Sequence, residues 1–184
     1  RLAREPLPPR PADLPPAPVA GFVGAWAPWI DARLLEAVAA RLPRWQFAVI
    51  GPLHGRRPAR GANIHHLGHK PHSELASYLH HLDVGLIPFQ LNQITRAANP
   101  VKLWEYLGAG LPVVATPIPE VLPLQDHVAV AAEPDGFARA IEAARQTDTP
   151  ERREARKGLA RQNSWTARFA RLQAALADLL EAGR

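Results

Sequence analysis

The sequence predicts an α/β fold, with a doubly wound and mostly parallel Rossmann-like sheet flanked by helices. Short apolar segments alternate along the chain with helical segments of about a dozen residues, the order that right-handed βαβ crossovers produce. The short segments are rich in β-branched residues, as strands covered on both faces are. Three of them contain a glycine at or near their end, where a strand turns toward the next element.

The first half of the chain predicts four strands, each with apolar residues in its middle. They are Ala20–Trp26, Arg44–Gly51, Asn63–Gly68 and Asp83–Phe89. Two segments with helical periodicity separate them, Asp31–Leu42 and Pro71–Leu82, and the polar residues 52–62 predict a loop. Asp31 is expected to cap the first helix, because its carboxylate can accept a free backbone N–H, and Ser73 lies near the start of the second.

The second half predicts a loop at residues 90–98 and then a helix that Asn99 caps, with Pro100 at its first position. Val101, Trp104 and Leu107 recur at three-residue steps, which predicts an apolar stripe facing the sheet. The remaining elements continue the alternation. They are a strand at Leu111–Thr116, a short turn or helix around Pro119–Leu124, a strand at His127–Ala132, and helices at Asp135–Thr147, Pro150–Gln162 after Thr149, and Trp165–Glu181 after Ser164.

The composition fits one folded domain, since 47% of the 184 residues are hydrophobic. Cysteine is absent, which excludes disulfides and thiolate metal sites. No apolar run approaches the roughly 20 residues that span a bilayer, and the N-terminal residues lack the apolar core of a signal peptide. The net charge of +5 reflects either a bias toward arginine or an anionic partner such as a phosphate-bearing ligand, a lipid surface or nucleic acid. No basic motif interleaved with aromatic residues indicates nucleic acid.

The N-terminal residues differ in composition from the rest of the chain. Residues 1–18 contain seven prolines and predict an extended linker or the end of a preceding domain. Residues 19–184 then form the Rossmann-like domain. Because the sequence contains no methionine, we expect it to be part of a longer protein.

Turns at the carboxyl ends of the strands are candidate site residues, because ligands of doubly wound sheets bind there. Gly24 either brings the backbone close to a phosphate or belongs to an ordinary βα turn. Gly68, His69 and Lys70 form either a base-binding turn or a solvated loop. The chain has neither the G-x-G-x-x-G pattern nor the P-loop pattern, which argues against a dinucleotide fingerprint and against a P-loop kinase or NTPase.

The helix that starts near Asn99 carries a second candidate site. A helix N-terminus has free N–H groups and partial positive charge, which suits a diphosphate, and Lys102 adds a full charge in the first turn. Glu105 follows one turn later, where its carboxylate could accept hydrogen bonds from the two hydroxyls of a ribose. The alternative is a surface ion pair between Lys102 and Glu105.

Six histidines cluster between His65 and His81, so a zinc site has to be considered. His65 and His66 are neighbours on a predicted strand and point to opposite faces, and His80 and His81 diverge on a helix. The sequence contains neither H-E-x-x-H nor G-x-S-x-G. We therefore expect neither a metal site nor a catalytic histidine.

The segment NPVKLWEYLGAGLPVVAT resembles the PxKxxEYLAxGxPVV signature of the nucleotide-sugar-binding, C-terminal half of GT-B fold glycosyltransferases, of the retaining group 1, family 4-like type. FVGAWAPWIDARLLEAVAARLPRWQFAVIGP is similar to the first βαβ unit of that half, and NIHHLGHKPHSELASYLHHLDVGLIPF is similar to a later segment of it. NSWTARFARL resembles the helix that closes many such domains. Together these segments cover roughly residues 20–180, and their shared order makes the resemblance specific.

The resemblance implies a role for each candidate site residue. Glu105 would hold the ribose of the donor, and the turn Gly68–Lys70 would meet the base through its backbone. The Gly24 loop and the helix start Asn99–Lys102 would lie near the diphosphate.

The chain departs from the family pattern in two places. Ala97 stands where many relatives have a second glutamate, eight positions before Glu105. The loop AWAPWID carries no basic pair, which many relatives have after the first strand. The resemblance therefore predicts altered contacts to the donor sugar, with Lys102 replacing a missing phosphate contact.

The function that the resemblance implies is donor binding in a glycosyltransferase. Such an enzyme transfers a sugar from a nucleoside diphosphate sugar to a glycan or lipid-linked acceptor, here expected in cell-surface or exopolysaccharide synthesis. Catalysis in the family needs the cleft between two domains, so we expect this chain to be incomplete without its N-terminal domain. The resemblance also implies no metal or other cofactor, and a cytoplasmic location with peripheral contact to the inner face of the membrane. Two alternatives stay open, a nucleotide-sugar epimerase and a non-catalytic nucleotide-binding or scaffold module.

Overall fold

The computed structural model describes residues 8–54 and 57–182 as a six-stranded sheet flanked by helices. All neighbouring strands are parallel, and their spatial order is β3-β2-β1-β4-β5-β6. The strands are β1 Val19–Val23, β2 Gln46–Ile50, β3 Ile64–Gly68, β4 Val84–Ile87, β5 Val113–Ala115 and β6 Val128–Val130. The predicted doubly wound α/β fold is confirmed. Gly55 and Arg56 of the predicted loop, residues 1–7 of the predicted linker, and residues 183 and 184 lie outside the described residues.

The central strand β1 positions the rest of the sheet. All five of its residues are buried, and it pairs with β2 on one side and β4 on the other. The chain runs outward from β1 through β2 to β3, and then returns to β4 on the opposite side of β1. The strand order therefore reverses between β1 and β4, which creates a crevice at the carboxyl ends of these two strands.

The helices cover the sheet, with α1 packed beside α5 and α4 packed beside α6. The seven helices of the described residues are α1 Ala32–Arg41, α2 His72–His81, α3 Gln93–Arg96, α4 Val101–Gly108, α5 Pro134–Gln146, α6 Pro150–Gln162 and α7 Trp165–Ala182. The predicted cap of α1 is confirmed, because the side chain of Asp31 accepts the N–H of Leu34. Helix α6 begins after Thr149, as predicted, and the side chain of Thr149 caps it by accepting the N–H of Arg152. A single 3₁₀ turn at Leu122–Leu124 occupies part of the predicted turn or helix.

Two predictions for the region before α4 are wrong. The predicted loop at residues 90–98 contains the short helix α3, which a capping box between Asn92 and Thr95 starts. Asn99 does not cap α4, because Pro100 is the N-cap residue, with an extended ψ of 108°, and no side chain bonds to the first turn. The helix therefore begins at Val101, one residue later than the proline pattern predicts.

The apolar face of α4 also differs from the prediction. The residues buried against the sheet are Leu103, Tyr106 and Leu107, whereas Val101 is 55% exposed. Trp104 is half-buried and lies on the side of α4 that faces α6 and α7. The predicted stripe of Val101, Trp104 and Leu107 is therefore wrong for two of its three residues, because only Leu107 is buried against the sheet.

Most of the described side chains of helix α7 are exposed. Its exposed apolar residues follow helical spacing along one face: Trp165, Phe169, Leu172, Leu176 and Leu180. We call these five residues the α7 stripe.

Candidate functional site at the carboxyl ends of the strands

Three glycine turns meet at the carboxyl ends of β1, β2 and β3. Gly24, Gly51 and Gly68 have φ angles of 136°, 144° and 69°, which L side chains rarely adopt. The N–H of Gly24 donates to the carbonyl of Ile50, and the N–H of Gly51 donates to that of Gly68, both at 2.8 Å. A Cβ on Gly51 would lie only 2.1 Å from the carbonyl oxygen of Gly24. The turns of Gly24 and Gly51 therefore pack backbone against backbone, and a side chain at Gly51 would push them apart.

Gly51 is a site residue that sequence reasoning missed. Like Gly24, it follows a run of buried apolar residues, and that shared position is the signal that could have identified it. Its role depends on contact with a residue in another strand, which no local pattern in the sequence indicates.

Lys102 lies directly against the Gly24 turn. A Cβ on Gly24 would lie 3.0 Å from Cε and 3.3 Å from Nζ of Lys102. The ammonium group also lies 5.1 Å from the ring centroids of both Phe22 and Phe89. Two predicted site residues that are far apart in sequence, Gly24 and Lys102, are therefore neighbours in the crevice between β1 and β4.

The charge on Lys102 has no ion-pair partner in the part of the chain that the structure describes. Burial lowers the pKa of Lys102, and the nearby carboxylate of Glu105 opposes that effect only in part. The two side chains do not come within the 4.0 Å of an ion pair, so the surface-pair alternative is not formed. Withdrawing an ammonium even partly from water without a partner costs free energy. Such a group beside a partly exposed backbone turn is a candidate ligand for an anion.

Tyr106 sets the rotation of α4 and thereby the position of Lys102. Its hydroxyl accepts the N–H of Val23 at 2.7 Å, at the end of β1 and directly before Gly24. Its ring packs over Gly85 of β4, where a Cβ would approach the ring to 2.7 Å. Burial raises the pKa of Tyr106, so the hydroxyl stays protonated. Sequence reasoning missed this residue, although it belongs to the EYL part of the signature segment.

Glu105 lies one helical turn from Lys102 and faces a groove between α4, α6 and α7. The groove has a volume of about 650 Å³, and polar side chains that line it include Glu105 on α4 and Asn99 just before the helix. Its apolar wall includes Trp104 and Trp165. The guanidinium of Arg168 lies between these two rings, 5.3 Å from the first centroid and 5.9 Å from the second. The predicted residues Asn99 and Glu105 are therefore close together, on the side of α4 away from the sheet.

The turn Gly68–Lys70 lies at the same edge of the sheet, at the end of β3. Gly68 and His69 are exposed there. Lys70 instead turns away to Asp13, with 2.5 Å between its Nζ and Oδ2 of the carboxylate. The turn thus presents backbone and an imidazole to solvent, while the lysine charge is already paired.

The AWAPWID loop, which lacks the basic pair of many relatives, places a tryptophan in the core. Trp26 is 1% exposed and packs edge-on against Phe22 and His66. Its backbone N–H donates to Pro52, and its indole N–H donates to the carbonyl of Arg57. This position is therefore part of the core and supplies no charge to the site.

The clustered histidines have separate partners. Nε2 of His65 lies 2.7 Å from the side-chain oxygen of Gln46, and Nε2 of His66 lies 2.8 Å from the carbonyl of Ala59. Among residues 8–54 and 57–182, no group of three or more histidine, aspartate or glutamate side chains is arranged to hold a metal ion. None of the helices in these ranges combines the length and the apolar character needed to cross a membrane.

Comparisons with known proteins agree with this architecture. Residues 31–174 match a protein family described as glycosyl transferase-like. The chain is 27% identical over 162 residues to TuaH of Bacillus subtilis (strain 168), a protein assigned to teichuronic acid biosynthesis as a glycosyltransferase. That alignment covers 82% of this chain and 41% of TuaH. A UDP-glucuronate:glycolipid 2-beta-glucuronosyltransferase of Xanthomonas campestris pv. campestris is 30% identical over 86 residues, which are 46% of this chain and 22% of that protein.

Solved structures share the fold at low sequence identity. Anabaena HepE, crystallised with UDP and glucose, superimposes with a TM-score of 0.66 at 16% identity, over 88% of this chain and 48% of HepE. Sucrose-phosphate synthase from Thermosynechococcus elongatus gives a TM-score of 0.65 at 19% identity, over 90% of this chain and 46% of the synthase. The chain thus spans less than half the length of each of these proteins.

Proposed function

The chain belongs to the glycosyl transferase-like family, and from that premise we propose that it binds the donor of a glycosyltransferase. The donor is a nucleoside diphosphate sugar, and the reaction transfers its sugar to an acceptor. One observation carries the proposal. A half-buried lysine without an ion-pair partner among the described residues, Lys102, lies against the Gly24 turn, where the strand order of the sheet reverses.

We assign the parts of the donor to the parts of the site. The diphosphate lies between the Gly24 turn and Lys102, because this is where backbone approach and an unpaired positive charge coincide. Glu105 binds the ribose, one turn along α4 from the phosphate. The backbone of Gly68 and His69 contacts the base at the neighbouring strand end. The UDP and glucose in the HepE crystals support a donor of this class.

The acceptor is a cell-surface or exopolysaccharide glycan, or a lipid-linked precursor of one. The names of two relatives support this choice, since one refers to teichuronic acid biosynthesis and the other to a glycolipid. The protein would act in the cytoplasm, with peripheral contact to the inner face of the membrane where a lipid-linked acceptor lies. Donor binding would require no metal, because backbone N–H groups and Lys102 would neutralise the diphosphate.

Sugar transfer would require a second domain that precedes the residues described above. The chain spans 41% of TuaH and 48% of HepE, and the α7 stripe exposes five large apolar side chains that need a partner. We therefore expect the preceding domain of the longer protein to pack on the α7 stripe and to contribute the groups that bind the acceptor.

A non-catalytic nucleotide-binding module is the second candidate function. Ala97, which stands where many relatives have a glutamate, favours it, because alanine offers no hydrogen bond to a donor sugar. The structure has Ala97 exposed at the end of α3.

Calorimetric titration of the chain with UDP, GDP and ADP, and with their sugar conjugates, tests the proposal. We expect one base to bind clearly better than the others, and we expect sugar transfer only when the preceding domain is present. Binding without transfer by the longer protein would favour the non-catalytic module, and sugar interconversion without transfer would favour an epimerase. No binding of any nucleotide at millimolar concentration would overturn the proposal.

A further inference from the structure

The segment before β1 is attached to the domain at the edge of the proposed base site. Leu14 is 5% exposed and belongs to the hydrophobic core, and its N–H donates to the carbonyl of Pro11. This turn fixes the backbone around Asp13. Prolines on both sides restrict the backbone further, because each has a fixed φ.

Asp13 uses both carboxylate oxygens to hold two residues of the β3–α2 region. Oδ2 lies 2.5 Å from Nζ of Lys70, and Oδ1 accepts the hydroxyl of Tyr78 at 2.6 Å. Tyr78 is 3% exposed, and the ammonium of Lys70 lies 5.5 Å from the centroid of its ring. Hydrogen bonds from Lys70 and Tyr78 lower the pKa of Asp13, and the bond to Asp13 raises the pKa of Lys70. Both groups of the pair are therefore charged at neutral pH.

These contacts hold the turn Gly68–Lys70 at both ends. At its start, the carbonyl of Gly68 accepts the N–H of Gly51. At its end, the side chain of Lys70 is held by Asp13 and lies over Tyr78. Only His69 between them is free of such contacts and exposed. A turn held at both ends presents its backbone in one conformation, which lowers the entropic cost of binding a ligand there.

We infer that Asp13 is a positioning residue of the donor site, which holds Lys70 so that the backbone of the turn Gly68–Lys70 can recognise the base. This inference rests on the proposed function, because it takes the turn as the base contact. It assigns to Lys70 a structural role in place of a direct ligand contact. It also separates the two positive charges near the site, because Lys102 is available to phosphate and Lys70 is not.

The test compares Asp13→Ala, Asp13→Asn and Lys70→Ala with the wild-type chain. Asp135→Ala is the matched control, because Asp135 also pairs with a basic side chain, Arg41, but joins α1 to α5. Each chain is titrated with UDP, GDP, ADP and the corresponding nucleosides. Amide hydrogen exchange at His69 and Lys70 is measured without ligand, and thermal melts report stability.

The Asp13 and Lys70 variants are expected to bind the preferred nucleoside and its diphosphate about three- to tenfold more weakly, by the same factor for both. Discrimination among the three bases should fall, and exchange at His69 should become faster. The double variant Asp13→Ala with Lys70→Ala should be no weaker than either single variant, since both remove the same contact. The control should match wild type in affinity and exchange.

Two results overturn this inference while leaving the proposed function intact. One is wild-type affinity, base preference and exchange in the Asp13 variants. The other is a tighter diphosphate complex in Asp13→Ala together with a selective loss of diphosphate binding in Lys70→Ala, which would make Lys70 a phosphate ligand. Failure of the wild-type chain to bind any nucleotide overturns the proposed function and, with it, the role of the turn in base recognition.

Discussion

Replacing Lys102 by alanine should weaken the binding of nucleoside diphosphates far more than the binding of nucleosides. In the structure, the ammonium lies beside Gly24 and has no carboxylate partner among the described residues. A diphosphate in the crevice would provide that partner. A nucleoside carries no phosphate, so its binding should not depend on this charge.

The size of the effect follows from the type of contact. Hydrogen bonds to charged groups contribute about 1.5–3 kcal/mol, so diphosphate affinity should fall about ten- to a hundredfold. Stability should change little, because two opposing effects accompany the substitution. The variant loses contacts with the rings of Phe22 and Phe89, each contributing about 0.5–1 kcal/mol. It also no longer buries an ammonium group, the burial that lowers the pKa of Lys102.

The assay is calorimetric titration of UDP, GDP and ADP and their nucleosides into wild type, Lys102→Ala and Lys102→Arg, with thermal melts of each chain. Lys102→Arg keeps the charge and should retain part of the diphosphate affinity. Lys157→Ala is the comparison variant, because Lys157 pairs with Glu154 on α6 and lines the groove instead of the Gly24 turn.

Equal affinity of wild type and Lys102→Ala for the diphosphates would refute the assignment of Lys102. An equal loss for nucleosides and diphosphates would also refute it, because that pattern indicates a damaged site and not a missing phosphate contact. A loss in Lys157→Ala as large as in Lys102→Ala would move the diphosphate into the groove between α4 and α6.

Three further predictions concern the same site, and one concerns its framework. Glu105→Gln should weaken nucleosides and nucleoside diphosphates alike, about ten- to a hundredfold, with an unchanged melting temperature; selective loss of diphosphates would contradict a ribose contact. Because burial lowers the pKa of Lys102, its charge is lost at a lower pH than that of an exposed lysine. Diphosphate affinity should therefore fall as pH rises into the alkaline range, and Lys102→Arg should remove this dependence. Donor binding should survive excess EDTA, and restoration by Mn²⁺ or Mg²⁺ after a loss would show a required metal. Tyr106→Phe should lower the free energy of unfolding by about 1–3 kcal/mol, because the N–H of Val23 loses its partner; urea unfolding measures this, and an unchanged midpoint would argue against the contact.

Local signals predicted most of the elements. The caps Asp31 and Thr149 lie three residues before the N–H groups that they accept. Both partners of each hydrogen bond therefore lie in one short stretch of sequence. The alternation of strands and helices predicted the parallel sheet. Two parallel neighbouring strands must be joined by a crossover of about a dozen residues or more, which is usually a helix. The helix α3 was missed because it has only four residues, too few to show a period.

The candidate site was predicted residue by residue, but its geometry was not. Gly24 and Lys102 are neighbours only because β1 and β4 pair in the sheet. The apolar residues of α4 allow more than one face to be buried, and the bond between Tyr106 and Val23 selects one of them. Lys70 was predicted as a ligand residue, and its partner Asp13 lies 57 residues away in sequence.

By itself, the sequence determined the order of the main elements, the starts of α1 and α6 and the residue types at the carboxyl edge of the sheet, since these depend on near neighbours along the chain. The tertiary structure decided which face of α4 is buried, which glycines touch, and which lysine charge has a partner. The physical reason is that burial and pairing are properties of contacts between distant segments. Whether Lys70 or Lys102 is available to an anion depends on where Asp13 and the Gly24 turn lie in space.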